Sequence, residues 1–128
     1  MAVADLISQE STLVGLIVNA ELSTTGLSVA VEFTDSKTGV ARTPQSTTLD
    51  FVIDKDNSRF EQIHATSHST VSGVTTIVIA ATGRAIPLFG TGAGGATGTR
   101  HPIGAKIGCV YTHNQVEQLN KVIDGTNA

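Results

Sequence analysis

Leu27-Ser28-Val29-Ala30-Val31-Glu32-Phe33 carries an apolar residue at every second position, with Ser28, Ala30 and Glu32 between them. Side chains on a strand alternate faces, so this pattern predicts a strand with one face in a core and one in water. Leu49, Phe51 and Ile53 repeat it, with Asp50 and Asp54 expected outward. Phe60 to Ala65 is a weaker alternation, and Lys106 to Thr112 alternates through Ile107, Cys109 and Tyr111. Thr75 to Ala80 (TTIVIA) is β-branched and apolar at both parities, which predicts a strand covered on both sides. Leu13 to Val18 reads as the first strand, weakened by Gly15.

Polar turns separate these runs: Thr24-Thr25-Gly26, Asp35 to Gly39, Asp54 to Ser58, and Ser72-Gly73. Short strands joined mostly by short turns predict a mainly β domain, an antiparallel barrel or sandwich. One helix is expected over 114–124. Asn114 caps it, Glu117 stands in capping-box relation, Val116, Leu119 and Ile123 follow at helical spacing, and Gly125 stops it. The partner of its apolar face is either the barrel or another chain. Residues 1–12 read as an arm or a short helical turn, and residues 13–128 as a single β domain.

The chain has 128 residues, enough for one domain that needs neither disulfide nor metal to stay folded. Charged residues make up only 15%, against about 25% in an average domain. Eight Lys and Arg against eleven acids, without a cluster, argue against a nucleic-acid grip. No apolar run is long enough to predict a membrane span. The segment MAVADLISQE lacks the basic start of a secretory signal, and a lone Cys109 makes no internal disulfide framework, so synthesis and folding in a cytoplasm are expected. Residues 1–62 hold nine acids and four bases, and residues 63–128 two acids and four bases. Such a division would suit a head-to-tail contact between subunits.

Motifs of chemistry are few. Gly90 to Gly98 (GTGAGGATG) contains G-x-G-x-x-G. However, no helical pattern follows it, and no acid stands about twenty residues on except Glu117, inside the expected helix. It reads as a long loop that packs backbone closely or moves. His64 and His68 lie about 13 Å apart on an extended chain, too far to share one ion. Asp54, Asp56 and Ser58 share the spacing of calcium-loop ligands, but Arg59 stands where glycine is required and Ala65 where the closing Glu belongs. Cys109, on an alternating strand, is expected to be an inert thiol. No catalytic residue, cofactor or metal site is expected.

The second half has a distinct layout. A strand bearing an acid (Arg59-Phe60-Glu61-Gln62-Ile63) leads through a turn to TTIVIA. Arg84 and the glycine-rich stretch come next, then His101-Pro102-Ile103-Gly104-Ala105-Lys106-Ile107, and finally a strand running into the helix. Over residues 57–125 this resembles a small β domain of tailed-bacteriophage virion proteins. The pattern there is acid-strand, T-T-hydrophobic strand, R-G turn, glycine-rich loop and H-x-x-G-A-x-hydrophobic. The order is altered here to Gly83-Arg84, with Ala85 after it. The resemblance implies a non-enzymatic structural protein located in the virion: a tail, neck or baseplate component or a fibre anchor. It also admits a capsid decoration protein, with residues 1–12 as the arm on the lattice, or a receptor- or glycan-binding module at a tail tip. The partners would be other copies, in a trimer or ring, and neighbouring virion proteins. Neither nucleic acid nor membrane is expected as a partner. The expected assembly contacts are Gly90, Gly92, Gly94, Gly95, Gly98, Arg100 and His101 in the loop, and Val116, Leu119 and Ile123 on the helix. His101 is expected to hydrogen-bond backbone across the loop.

Overall fold

The structure, a computed structural model, describes residues 12–45, 49–86 and 94–109. The strands are β1 (Leu13–Ile17), β2 (Ser28–Asp35), β3 (Leu49–Ile53), β4 (Glu61–Val71), β5 (Val74–Ile79) and β6 (Lys106–Cys109). They form a closed antiparallel barrel in the order β1-β2-β5-β4-β3-β6, with β6 returning to β1. Of the two expected architectures, the barrel is therefore the one adopted. β3, β4 and β5 are successive neighbours, while β2 and β6 lie on either side of that trio, a Greek-key arrangement. The expected helix and, apart from Thr12, the expected N-terminal arm lie outside the described residues.

Alternation places the core. Val29, Val31 and Phe33 of β2 point inward, as do Leu13 and Ile17 of β1, Phe51 and Ile53 of β3, Ile63 of β4, Ile77 and Ile79 of β5, and Ile107 of β6. Phe33 and Phe51 stack at 5.7 Å between ring centroids, bridging the barrel from β2 to β3. Gly15 also faces inward. A β-carbon there would meet Val31 Cγ1 at 2.5 Å and Phe33 Cδ1 at 2.9 Å, so the gap in β1 is the space those two side chains fill. The β4–β5 hairpin turns on Ser72 (φ 52°) and Gly73 (φ 81°), the left-handed pair that matches strand twist.

Two expectations are corrected. TTIVIA is not covered on both sides: Thr75, Ile77 and Ile79 are buried, while Thr76 and Val78 are exposed. A six-strand barrel has one interior, so β-branched residues at the other parity stand in water. Conversely, Asp50 keeps the outward parity expected of it but is covered there, at 6% exposure, and Asp54, just past the strand's end, is buried at 5%. β3 is buried along its whole length, and each of the two carboxylates is matched to a cationic or hydrogen-bonding partner.

Candidate functional site

One end of the barrel is closed by four connections: residues 18–27, 54–60, 80–86 and 94–105. Residues 18–27 and 94–105 meet on Arg84 of the third connection, and 54–60 joins them through Asp54 and His101. The Arg84 side chain is fully buried, and all five guanidinium N–H groups are used. Nε donates to Glu61 Oε2 at 2.7 Å, and Nη2 donates to Glu61 Oε1 at 3.0 Å and to the Thr99 carbonyl at 2.8 Å. Nη1 donates to the carbonyls of Ser23 at 2.8 Å and Gly26 at 2.7 Å. The fork geometry of arginine suits this bidentate grip on a carboxylate.

Glu61, the first residue of β4, also accepts the backbone N–H groups of Ala85 and Thr99, each at 2.9 Å. His101, likewise fully buried, lies between two carboxylates. Its Nε2 is 2.8 Å from Glu61 Oε1 and its Nδ1 is 2.8 Å from Asp54 Oδ2. An ionised carboxylate only accepts, so each ring nitrogen bonds its carboxylate by donating an N–H to it. Asp54 is further held by Asn57 Nδ2 at 3.1 Å and Arg59 Nε at 3.2 Å.

Burial alone would push the Glu61 carboxyl up. The hydrogen bonds from His101, Arg84, Ala85 and Thr99 outweigh it and hold Glu61 far below the usual carboxylate range. Asp54 is similarly raised by burial but lowered on balance, by His101, Asn57 and Arg59. Both acids therefore stay ionised in the interior. The group as a whole is fully satisfied, the condition under which buried charge is tolerated.

The glycine-rich stretch enters this arrangement at its described end. A β-carbon at Gly98 would strike the Glu61 carboxylate and come within 2.7 Å of Arg84 Nε. One at Gly94 would strike the Arg84 carbonyl and reach Ile86 Cγ1 at 2.9 Å. Gly94 and Gly95 pair with this segment through backbone: Gly94 N–H to Thr82 O at 2.8 Å, Gly95 N–H to Arg84 O at 2.8 Å, and Arg84 N–H to Gly95 O at 3.0 Å. The expectation of a loop that packs backbone closely matches the geometry at these positions.

The expected contact residues thus fall into three groups. Gly94, Gly95 and Gly98 line the cluster from outside, and Arg100 stands exposed, ion-paired with Glu21. His101 is inside; its main chain pairs with Leu22, and its side chain binds the Asp54 and Glu61 carboxylates rather than backbone across the loop. Gly90, Gly92, Val116, Leu119 and Ile123 lie outside the described residues. Glu61, Arg84 and Asp54 were not among the expected site residues. Their signal is present in the chain: from Gln62 to Gly83 there is no Asp, Glu, Lys or Arg, so Arg84 is an isolated cation at the end of a β-rich stretch and needs a buried anion.

A second pair lies on the barrel's outer surface, where His64 Nδ1 is 2.5 Å from Asp50 Oδ1. Burial raises the Asp50 carboxyl, and His64 only partly offsets this. Among the described residues no hydroxyl or thiol hydrogen-bonds the His64 ring. Cys109 is half-buried against the core. Among the described residues no group of three or more His, Cys, Asp or Glu is placed to hold a metal ion.

Comparison of the chain with protein-family models, with curated proteins and with solved structures finds no match.

Proposed function

We propose that this chain is a non-enzymatic structural protein of a tailed-phage virion that works by assembly in the tail, neck or baseplate, or as a fibre anchor. It would be made in the host cytoplasm, with other copies of itself and neighbouring virion proteins as partners. The observation that carries this reading is the convergence of the residues on which the resemblance rests. Glu61 from the acid strand, Arg84 from the turn and His101 from the H-x-x-G-A segment are separate in sequence and meet in one buried cluster. Ala85, which stands where the pattern has glycine, has φ 49°, the left-handed conformation that glycine favours. The pattern therefore makes physical sense as a clasp on the glycine-rich loop. The cluster offers no free polar atom to a substrate; its bonds all hold backbone and side chains together. What it leaves outward is the segment 94–100, with Arg100 exposed, as a fixed surface for a neighbour.

The test has two arms. Sedimentation of the full chain should show a concentration-dependent trimer or ring. Mass spectrometry of purified phage particles should find the chain at stoichiometric copy number. A strict monomer that is absent from particles would overturn the proposal.

A further inference from the structure

The outer face of β1, β6 and β3 forms an open trough. Register places Val14 of β1, Gly108 of β6 and Val52 of β3 in one row across the strands. Leu16 lies beside that row, and Phe60 and Ile103 rise at its margin from two loops of the capped end. Four of these are apolar and open to solvent: Val14 at 40%, Leu16 at 47%, Phe60 at 38% and Ile103 at 60%. Half of the exposed large apolar residues of the described chain therefore line one depression.

Gly108 gives the trough its floor, and nothing in the described barrel asks for a glycine there. Its backbone is not left-handed. A β-carbon at this position would meet only the Leu13 carbonyl, at 3.6 Å, an ordinary contact. A glycine within a strand forgoes both rigidity and packing, at about 0.5–1 kcal/mol. Its use is the space above it, between two valines.

We infer that this trough seats the chain's own C-terminal segment, with Val116, Leu119 and Ile123 against Val14, Leu16 and Ile103. Three observations select this occupant. Cys109, the last described residue of β6, itself lines the trough, so the chain leaves the barrel at the trough's rim. The residues that follow carry an apolar stripe at helical spacing that has no other seat assigned, and the five residues 110–114 can span up to about 17 Å, enough to turn back over β6. The sizes also agree: a helix over 115–123 would be about 13 Å long, and the three strand spacings from β2 to β3 measure about 14 Å. A tethered segment at short range also outcompetes a free partner through its high effective concentration. The inference does not depend on the virion reading. It does assign the helix's apolar stripe to this barrel and leaves the loop surface for neighbours.

The test uses the full chain. In a Cys109→Ser background, Val14→Cys with Leu119→Cys should form an intrachain disulfide at low micromolar concentration, read by non-reducing electrophoresis and peptide mapping. Adding Gly108→Phe should lower its yield at least tenfold while the barrel's unfolding midpoint holds or rises. A disulfide that forms only between chains would give the trough to a second copy and overturn the inference, as would no disulfide or a yield indifferent to Gly108→Phe. Methyl NOEs between Leu16 or Ile103 and Leu119 or Ile123 in the unsubstituted protein provide a readout free of any folding defect. Their absence would count equally against it.

Discussion

Arg84 shows how one side chain can organise a whole end of a barrel. It is fully buried, and its five donors reach three separate stretches of chain. Removing it leaves the Glu61 carboxylate buried without its main partner and releases three carbonyls. Arg84→Met should cost about 3–5 kcal/mol, read by urea denaturation. In the double-mutant cycle with Glu61→Gln, the two losses should be far from additive; additive losses would mean the two groups do not act as a pair. The neighbouring Ala85 carries the opposite kind of cost. Its φ of 49° strains an L-residue by about 1–2 kcal/mol, part of which glycine would return as lost chain entropy. Ala85→Gly should therefore raise stability, by about 0.5–1 kcal/mol in the same denaturation assay, while keeping the N–H to Glu61.

At the level of elements, alternation was enough to locate the strands. Val29, Val31 and Phe33 of β2, Phe51 and Ile53 of β3 and Ile107 of β6 are buried on the parity that the pattern predicts as inward, while Leu27, just before β2, is exposed. What alternation lacks is the other side of each strand. It assigns a face but says nothing of what lies over it, which is why Asp50 and Asp54 were expected outward and TTIVIA was expected covered. The choice between barrel and sandwich, and the strand order, also lay beyond it, because both depend on pairing between distant segments. Gly15 is a sharper example. In sequence it weakens a strand, whereas in the fold it is the site where β1 makes room for Val31 and Phe33. Gly15→Ala should destabilise by about 1–3 kcal/mol through overpacking, although alanine has the lower chain entropy. A neutral or stabilising result in thermal melts would show that the two neighbours yield freely. The site was legible only in part. His101 and the glycines stood out by motif and clustering, while Glu61 and Asp54 looked like ordinary strand-edge acids, and their pairing across the sequence is a product of closure.

For the molecule as a whole, the cluster sets the response to acid. Glu61 and Asp54 are both lower in the folded state than their ordinary values of 4.5 and 3.8. Their stabilisation is complete above those values and is lost as pH falls below them. Asp50 has the opposite sign. It is raised in the fold, so its protonation favours folding on the acid side and offsets part of the loss near pH 4. Below about pH 3.5 the first two dominate, and stability should fall by about 1.4 kcal/mol per pH unit for each proton taken up on unfolding. Urea midpoints measured from pH 6 to pH 2 should therefore be flat at first and then drop steeply. With Glu61→Gln the acid limb should become shallower; an unchanged limb would place the acid sensitivity elsewhere.

The seam of the barrel carries a consequence in time. β1 and β6, the first and last described strands, close the ring on each other, and the clasp beside them draws on residues from Ser23 to His101. Neither can form by local search. Most of the described residues have to be ordered before the last ladder and the last hydrogen bonds repay the entropy already spent. Non-local closure of this kind predicts slow folding in which the seam forms late. Until it closes, the strands that will meet at the seam remain open edges able to pair with a neighbouring chain, so the interval before closure is when this protein is most exposed to its own copies.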